Sequence, residues 1–180
     1  MHVRIFSDGL CLRPYADSDI EPFVAAARES VDTVGAWMPW CHASYGTADA
    51  KEWFDECASG LAARSAYDLG IFSADDGELS GGIAVNQISW RWNYANIGYW
   101  VRQSRQRQGI ALRAVRAIAR FGFNDLKLTR LEIVIAVDNV ASRRVAENAG
   151  ATFECIARNR LVLLERPIDA AVYSLIPGDV

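Results

Sequence analysis

The sequence has no segment typical of secretion or of a membrane span. Its amino end lacks the long apolar region of a signal peptide, and no apolar run approaches the roughly 18 residues needed to cross a bilayer. We therefore expect a cytoplasmic protein with no membrane partner.

Histidine and cysteine, the usual ligands of transition metals, are also scarce. There are only two histidines, and the four cysteines are scattered without a C-x-x-C pair, so we expect reduced thiols and no metal site. The net charge of −3 is opposite in sign to that of nucleic-acid-binding domains. An arginine-rich helix edge leaves a nucleic-acid binder as an alternative, but no matching motif accompanies it.

The composition is that of one folded domain. Of the 180 residues, 51% are apolar and 23% are charged, which is ordinary for a globular protein. A chain of this size buries roughly 70% of its unfolded surface, enough for a full core. Because no repeat, linker or low-complexity tract divides the chain, we expect a single domain over residues 1–180.

Hydrophobic periodicity predicts an α/β (α+β) fold. Strands are predicted at residues 3–6, 10–14, 67–73, 79–90, 94–101, 131–137, 152–157 with 161–164, and 171–176, and helices at 20–31, 48–65, 109–125 and 139–149. A turn is predicted at residues 167–169. The order strand, helix, strand from residue 94 to 137 indicates a crossover, so those two strands should be parallel.

The chain is organised around residues 97–111, where a strand, a basic turn and a helix start follow one another. The turn contains the pattern Gln106-x-x-Gly109-x-Ala111. The first N–H groups of a helix lack internal partners and its dipole adds positive charge, so an anionic phosphate can bind there. Gly109 has no Cβ and lets the backbone approach a ligand closely. The pattern predicts a phosphate-binding loop.

This segment resembles the acetyl-CoA-binding motif of the GNAT superfamily of N-acetyltransferases, written (Gln/Arg)-x-x-Gly-x-(Gly/Ala). Other segments, in the same order, are similar to the branch that acetylates N-terminal alanine or serine of ribosomal proteins. They are Leu12-Arg13-Pro14, Trp37-Met38-Pro39-Trp40, and residues 97–101, 139–142 and 148–154. The resemblance covers nearly the whole chain. It implies the GNAT fold, a mixed sheet of about seven strands with a splayed parallel pair, flanked by about four helices.

The resemblance also implies acetyl-CoA as cosubstrate, without a metal. Its pantetheine arm would lie between the splayed strands, and a backbone N–H near Val101 would polarise the acetyl carbonyl, which makes Val101 a catalytic candidate. The side chains of Tyr99 and Trp100 are equally typical of core aromatics. The implied contacts with the cosubstrate are Tyr99, Trp100, Val101, Gln106, Arg107, Gln108, Gly109, Ile110, Ala111, Asn139 and Ser142.

Six arginines lie between residues 102 and 120, with no acid among them. Arg102, Arg105, Arg107 and Arg113 are candidates for the 3′-phosphate, and the alternative is a solvated basic edge. Family members often carry Thr-Glu-Ala just after the glycine motif. This chain has Leu112-Arg113-Ala114 there, so the usual pairing of that glutamate is absent.

Asn139 and Ser142 are three residues apart and project near the first turn of a short helix. The resemblance places Asn139 on the pantetheine and Ser142 near the thiol. Because this helix contains no tyrosine, Ser142 is the hydroxyl in position to protonate the departing thiolate. The alternative is a capping arrangement with Asn139 as N-cap.

The loop that precedes the second helix is implied to line the acceptor site, with Trp37, Trp40 and His42 as substrate contacts. The base that takes the proton of the amine stays open among His42, Glu132 and water. For Cys41, a covalent nucleophile is the alternative to a small buried thiol. Exposed tryptophans are also typical of a dimer surface, so a homodimer stays open.

The sequence therefore predicts an N-acetyltransferase that moves acetyl from acetyl-CoA to a primary amine by direct attack in a ternary complex. The acceptor is either a protein N-terminal α-amine or a small amine. A protein acceptor predicts an open groove, and a small polar amine predicts a closed pocket with acids. The alternative from another class is a non-catalytic acyl-CoA-binding or protein-interaction module.

Overall fold

The computed structural model describes residues 3–180, and one open sheet of eight strands runs through it. The strands are β1 (Ile5–Ser7), β2 (Leu10–Arg13), β3 (Tyr67–Ser73), β4 (Leu79–Ser89), β5 (Tyr94–Val101), β6 (Arg130–Ala136), β7 (Thr152–Leu163) and β8 (Arg166–Leu175). The helices are α1 (Ile20–Glu29), α2 (Thr47–Ala63), α3 (Ile110–Asn124) and α4 (Val140–Ala149). Short 3₁₀ turns precede α1 and α3, at Asp17–Asp19 and Gln103–Arg105.

The strand order is β1-β2-β3-β4-β5-β6-β8-β7. All neighbouring strands are antiparallel except β5 and β6, which are parallel as predicted. The eight strands correspond to the eight segments predicted from periodicity, one more than the count of about seven that the resemblance implies. In the first hairpin, Asp8 and Gly9 both have positive φ, 49° and 77°, which makes a tight turn between β1 and β2.

The last hairpin turns at a different place from the one predicted. Leu164 and Glu165 have φ of 48° and 62°, so the tight turn lies there and not at residues 167–169. Pro167 lies within β8, opposite Val162 of β7. The expectation was wrong because proline fixes φ near −65°, whereas this turn needs two left-handed residues.

The sheet has a helix layer on each face. One face packs against α3 and α4, and the other packs against α1 and α2. Successive residues of a strand point to opposite faces, so Ile97 is buried on the α3 face while Trp100 packs on the α1 and α2 face. The spacing of Arg113, Arg116, Arg120 and Asn124 predicts one exposed edge on α3, and the structure exposes Arg116, Arg120 and Asn124 while Arg113 is half-buried.

All four cysteines are free, and three of them are buried. The thiol of Cys41 is 2% exposed and donates to the carbonyl oxygen of Ala27 at 3.2 Å. Burial raises the pKa of Cys41, which lowers the fraction of reactive thiolate. These contacts favour the buried-thiol interpretation of Cys41.

Candidate active site

Strands β5 and β6 pair only at their amino ends. Tyr94–Asn96 face Arg130–Glu132, and beyond that point β5 stays with β4 while β6 stays with β8. A gap therefore opens between the carboxyl halves of two parallel strands. The splayed pair predicted from the sequence is present.

The backbone of β5 presents donors to this gap. The N–H of Arg102 donates to Ser80 on β4 at 2.9 Å, and N–H directions alternate along a strand, so the N–H of Val101 points to the opposite side, into the gap. The carbonyl oxygen of Val101 accepts from the side-chain amide of Gln106 at 3.0 Å. Val101 therefore offers a free N–H donor to the gap, while its own carbonyl oxygen is already hydrogen-bonded to Gln106.

The loop after β5 exposes a run of backbone N–H groups. Arg107 and Gly109 have φ of 62° and 72°, in the left-handed region. The first hydrogen bond of α3 runs from Arg113 N to Gly109 O at 3.1 Å, so the N–H groups of residues 107–112 find no acceptor within residues 3–180. Left-handed residues beside a helix start form concave anion-binding sites, and a Cβ at Gly109 would meet nothing within 4 Å. The loop fits a phosphate.

Two of the arginines beside this loop are neutralised by acids from elsewhere. Arg102 donates to Glu29 at 2.9 and 2.5 Å and to Glu78 at 3.2 Å, and Arg105 also pairs with Glu78. This was not visible in the sequence, because both acids are distant along the chain. Arg107 is exposed and makes no ion pair within residues 3–180, which leaves it as the free cation of the loop.

Glu29 ties the loop to helix α1. Besides Arg102, it accepts from the backbone N–H of Ser104 at 3.1 Å and from its hydroxyl at 2.8 Å. These donors, Arg102 above all, lower the pKa of Glu29 to about 2. Gln106 adds a contact from its side-chain amide to the Thr33 hydroxyl at 3.1 Å. The loop is thus held in place by α1 and the segment after it.

Asn139 and Ser142 lie at the start of α4, beside the gap. Asn139 accepts from the backbone N–H of Ser142 at 3.1 Å, so it is the N-cap of α4. The Ser142 hydroxyl lies 2.9 Å from the hydroxyl of Tyr99 on β5. Burial raises the pKa of Tyr99 to about 12, and the hydrogen bond with Ser142 partly opposes that rise. The structure therefore pairs two predicted contact residues directly.

A cavity of about 450 Å³ lies on the α1 and α2 face of the sheet. It reaches β5 at Gly98, Tyr99 and Trp100, the strand that borders the gap. Its walls include Trp40 and His42 but not Trp37, so the structure brings together two of the three predicted acceptor contacts. The remaining lining residues are Tyr15, Phe23, Met38, Tyr45, Asp49, Glu52, Trp53, Glu56, Asp68, Leu69, Gly82, Ile83, Ala84 and Asn86.

The cavity is acidic, which the sequence reasoning missed. Asp49, Glu52 and Glu56 of α2 and Asp68 of β3 line it, and no lysine or arginine among residues 3–180 does. Desolvation, and then the like charge of Glu56, raise the pKa of Asp68 to about 6. A signal was available in the sequence: Glu52 and Glu56 are four residues apart around Trp53, and Asp68 interrupts an apolar strand.

The predicted base candidates occupy different positions. His42 lines the cavity, and its Nδ1 lies 3.0 Å from the hydroxyl of Ser44. Glu132 does not line it and pairs with Arg130 at 3.0 Å, which also binds Glu154. The structure thus separates Glu132 from the acceptor cavity.

Residues 3–180 contain neither a cluster of metal ligands nor a membrane-spanning helix. No three histidine, cysteine, aspartate or glutamate side chains come together as metal ligands. No helix in that range combines the length and apolar character needed to cross a membrane.

Comparison with known proteins identifies the family. Residues 9–152 match the acetyltransferase (GNAT) domain, which is most of the chain. The chain belongs to the GNAT acetyltransferase family and is an acyltransferase. Its eight-stranded mixed sheet with one splayed parallel pair is the fold of that family.

Particular relatives are similar over nearly the full length. YdaF of Bacillus subtilis (strain 168), provisionally named a ribosomal N-acetyltransferase, is 27% identical over 94% of this chain and 92% of its own. A Vibrio cholerae structure, provisionally described as a ribosomal-protein-serine acetyltransferase, is 31% identical over 97% and 98% of the chains, with a TM-score of 0.84. The match to the probable N-acetyltransferase YjcK of Bacillus subtilis (strain 168), 38% identical, spans only 53% of each chain.

One structural neighbour was solved with a ligand. RimL, a ribosomal L7/L12 α-N-protein acetyltransferase in complex with coenzyme A, has a TM-score of 0.88 at 22% identity, over 97% and 98% of the chains. At that identity the likeness shows the shared fold.

Proposed function

We propose that this protein transfers the acetyl group of acetyl-CoA to a primary amine by direct attack in a ternary complex. The observation that carries the proposal is the gap between β5 and β6, into which the N–H of Val101 points, with the exposed N–H groups of residues 107–112 at its end. An elongated molecule with a diphosphate at one end and a thioester at the other matches this arrangement. The coenzyme A bound to the structural neighbour RimL supports it.

The N–H groups from Arg107 to Ala111 would hold the diphosphate, because they are unpaired and lie at the positive end of the α3 dipole. The contacts would come from Arg107, Gln108, Gly109, Ile110 and Ala111. The N–H of Gln106 already donates to the carbonyl oxygen of Gln103 at 3.3 Å, so Gln106 would support the loop through its side chain. The pantetheine arm would then lie along β5 and pair with the backbone of Tyr99 and Val101 on one side, whereas the backbone of Trp100, predicted as a contact, faces Gly82 of β4. Asn139 would contact it from the other side.

The N–H of Val101 would donate to the acetyl oxygen as negative charge develops there. Such a donor acts in a site that excludes water, where its contribution to the rate is about 10²- to 10³-fold. Ser142 would give its proton to the sulfur as the carbon–sulfur bond breaks. The hydrogen bond with Tyr99 supports this role, because it fixes the Ser142 hydroxyl beside the gap.

The acceptor amine would enter through the cavity beside Trp40 and His42, which ends at β5. The names of the relatives favour the N-terminal α-amine of a ribosomal protein. The acidic, partly enclosed cavity of about 450 Å³ favours a small cationic amine as the second candidate. Either acceptor has a neutral, nucleophilic form after losing one proton.

An amine panel tests the proposal. Peptides that begin with serine or alanine are compared with small mono- and diamines at fixed acetyl-CoA, and free coenzyme A thiol is measured. We expect saturable thiol release with at least one class, and a strong loss of release in Ser142→Ala while acetyl-CoA still binds. If every amine gives only the background rate of thioester hydrolysis, the protein is a non-catalytic acyl-CoA-binding module.

A further inference from the structure

Asp68 stands in a row of residues that leads across the sheet to the gap. It lies opposite Ala84 of β4, which lies opposite Gly98 of β5. Residues directly opposite one another in antiparallel strands share a face, so all three point to the α1 and α2 side. Because alanine and glycine are small, no bulky side chain of this row separates the Asp68 carboxylate from β5, and the amide of Asn86 lies beside Gly98. The row forms part of the cavity floor.

The carboxylate of Asp68 is partly buried and unpartnered. No hydrogen-bond donor or cation within residues 3–180 stabilises its charge. The titratable groups around it come from three elements: Glu56, Glu52, Asp49 and Cys57 from α2, Tyr15 from the segment after β2, and His42 from the loop before α2. A carboxylate that loses its hydration on folding without gaining a hydrogen-bond or ion-pair partner lowers the stability of the fold. Such carboxylates concentrate at functional sites.

We propose that Asp68 accepts, through one water molecule, the proton that the acceptor amine loses when it attacks the thioester. This rests on the proposed acetyl transfer. Two strand spacings separate the Cα atoms of Asp68 and Gly98, about 10 Å. The aspartate side chain and two hydrogen bonds of about 2.8 Å each, made through that water, reach an amine that lies over Gly98.

The protons balance over one turnover. The nitrogen–carbon bond forms and leaves a proton on nitrogen, which passes to the water while the water gives one to Asp68. The carbon–sulfur bond breaks, and the thiolate takes the proton of Ser142. Asp68 then releases its proton to solvent and Ser142 regains one, so the net change is amine plus thioester to amide plus thiol.

The other acids of the cavity are less suited to this step. Glu52 and Glu56 are exposed to solvent on α2. Asp68 is shielded, and desolvation together with the charge of Glu56 raises its pKa to about 6. A base acts best when its pKa lies near the working pH, which Asp68 approaches.

The experiment compares three variants by thiol release from pH 5 to 9 with the best amine of the panel. Asp68→Asn is expected to lower kcat/KM by about 10²- to 10⁴-fold at neutral pH and to remove the decline in rate below about pH 6. Glu56→Gln, which also changes the lining of the amine cavity, is expected to move the acidic decline of kcat to lower pH, because removing a like charge lowers the pKa of Asp68. Asp55→Asn, on the same helix but outside the cavity lining, is the matched control and should match wild type.

Measurements of stability and of acetyl-CoA binding distinguish a loss of catalysis from damage to the fold. Because Asp68→Asn removes an unpaired, partly buried charge, its Tm at pH 7 should equal or exceed that of wild type, and acetyl-CoA should bind as it does to wild type. The inference is overturned if Asp68→Asn is as active as wild type with the same pH profile, or if Glu56→Gln leaves the acidic decline in place. Absence of transfer in wild type with every amine would overturn the proposed function itself, together with this inference.

Discussion

The hydroxyl oxygen of Tyr99 lies 2.9 Å from the hydroxyl oxygen of Ser142 and 3.0 Å from the carbonyl oxygen of the same serine. A carbonyl oxygen can only accept, so the Tyr99 hydroxyl donates to it, and in the contact between the two hydroxyls either group can donate. The two residues join β5 to α4 across the gap. They therefore fix the position of α4 and of the Ser142 hydroxyl.

Tyr99→Phe should lower kcat by about tenfold and change KM for acetyl-CoA little, because two hydrogen bonds to Ser142, of roughly 1 kcal/mol each, are lost while the backbone of β5 is kept. Steady-state thiol release measures both constants. Tyr94→Phe, on the same strand, is the control. The double variant Tyr99→Phe with Ser142→Ala should have the same kcat as Ser142→Ala alone. If the two substitutions instead lower kcat by independent factors, Tyr99 does not act through Ser142.

Glu29→Gln should weaken acetyl-CoA binding by about tenfold, equal to about 1.4 kcal/mol, because Arg102 and Ser104 lose the charge that holds the loop. Calorimetric titration measures the affinity. Glu21→Gln, exposed on the same helix, should bind as wild type does. Unchanged affinity in Glu29→Gln would show that the loop keeps its shape without this ion pair.

Acid should destabilise the protein through two lowered carboxyl pKa values. Those of Glu29 and Glu154 lie at about 2, against an ordinary value of 4.5, because Arg102 and Arg130 bind the ionised forms. Each carboxylate therefore stabilises the fold fully above about pH 4.5, and this stabilisation is lost as the pH falls toward 2. Tm measured against pH should fall less steeply in that window for Glu29→Gln and for Glu154→Gln. Slopes equal to that of wild type would refute the assignment.

Trp40 and Trp37 lie in the same loop but should affect binding of the acceptor amine differently. Trp40 lines the cavity and packs against Trp100 and Phe23, whereas Trp37 lies outside the lining. Trp40→Leu should raise KM for the amine about tenfold or more, since a buried aromatic wall is lost, and leave acetyl-CoA affinity unchanged. Trp37→Leu should leave KM for the amine unchanged. Equal effects of the two variants would place the acceptor elsewhere.

The donor side of the site was largely predictable from sequence because it is local. The strand, the loop with Gly109 and the start of α3 are contiguous, and their pattern predicted the exposed N–H groups and the parallel strand after the crossover. The turn at Leu164 and Glu165 was missed because neither residue type favours a left-handed conformation, and the register of the hairpin decides it.

The acceptor side could not be predicted because it depends on distant segments. Asp68 meets the acids of α2 only after β3 and α2 pack, and Glu29 reaches Arg102 from 73 positions away along the chain. Charge patterns in the sequence therefore suggested six available arginines, and the fold neutralises two of them. Long-range pairing of charges is set by tertiary contacts, which periodicity does not encode.

Calorimetric titration with acetyl-CoA tests the central claim most directly, using wild type, Gly109→Asn and Gly109→Glu. Asparagine tolerates the φ of 72° at this position and adds no charge, whereas glutamate brings a carboxylate into the unpaired N–H groups of residues 107–112. The account predicts saturable heat for wild type and for Gly109→Asn, and none for Gly109→Glu at the same ligand concentration. Equal binding by Gly109→Glu, or no heat from wild type at millimolar acetyl-CoA, would contradict it.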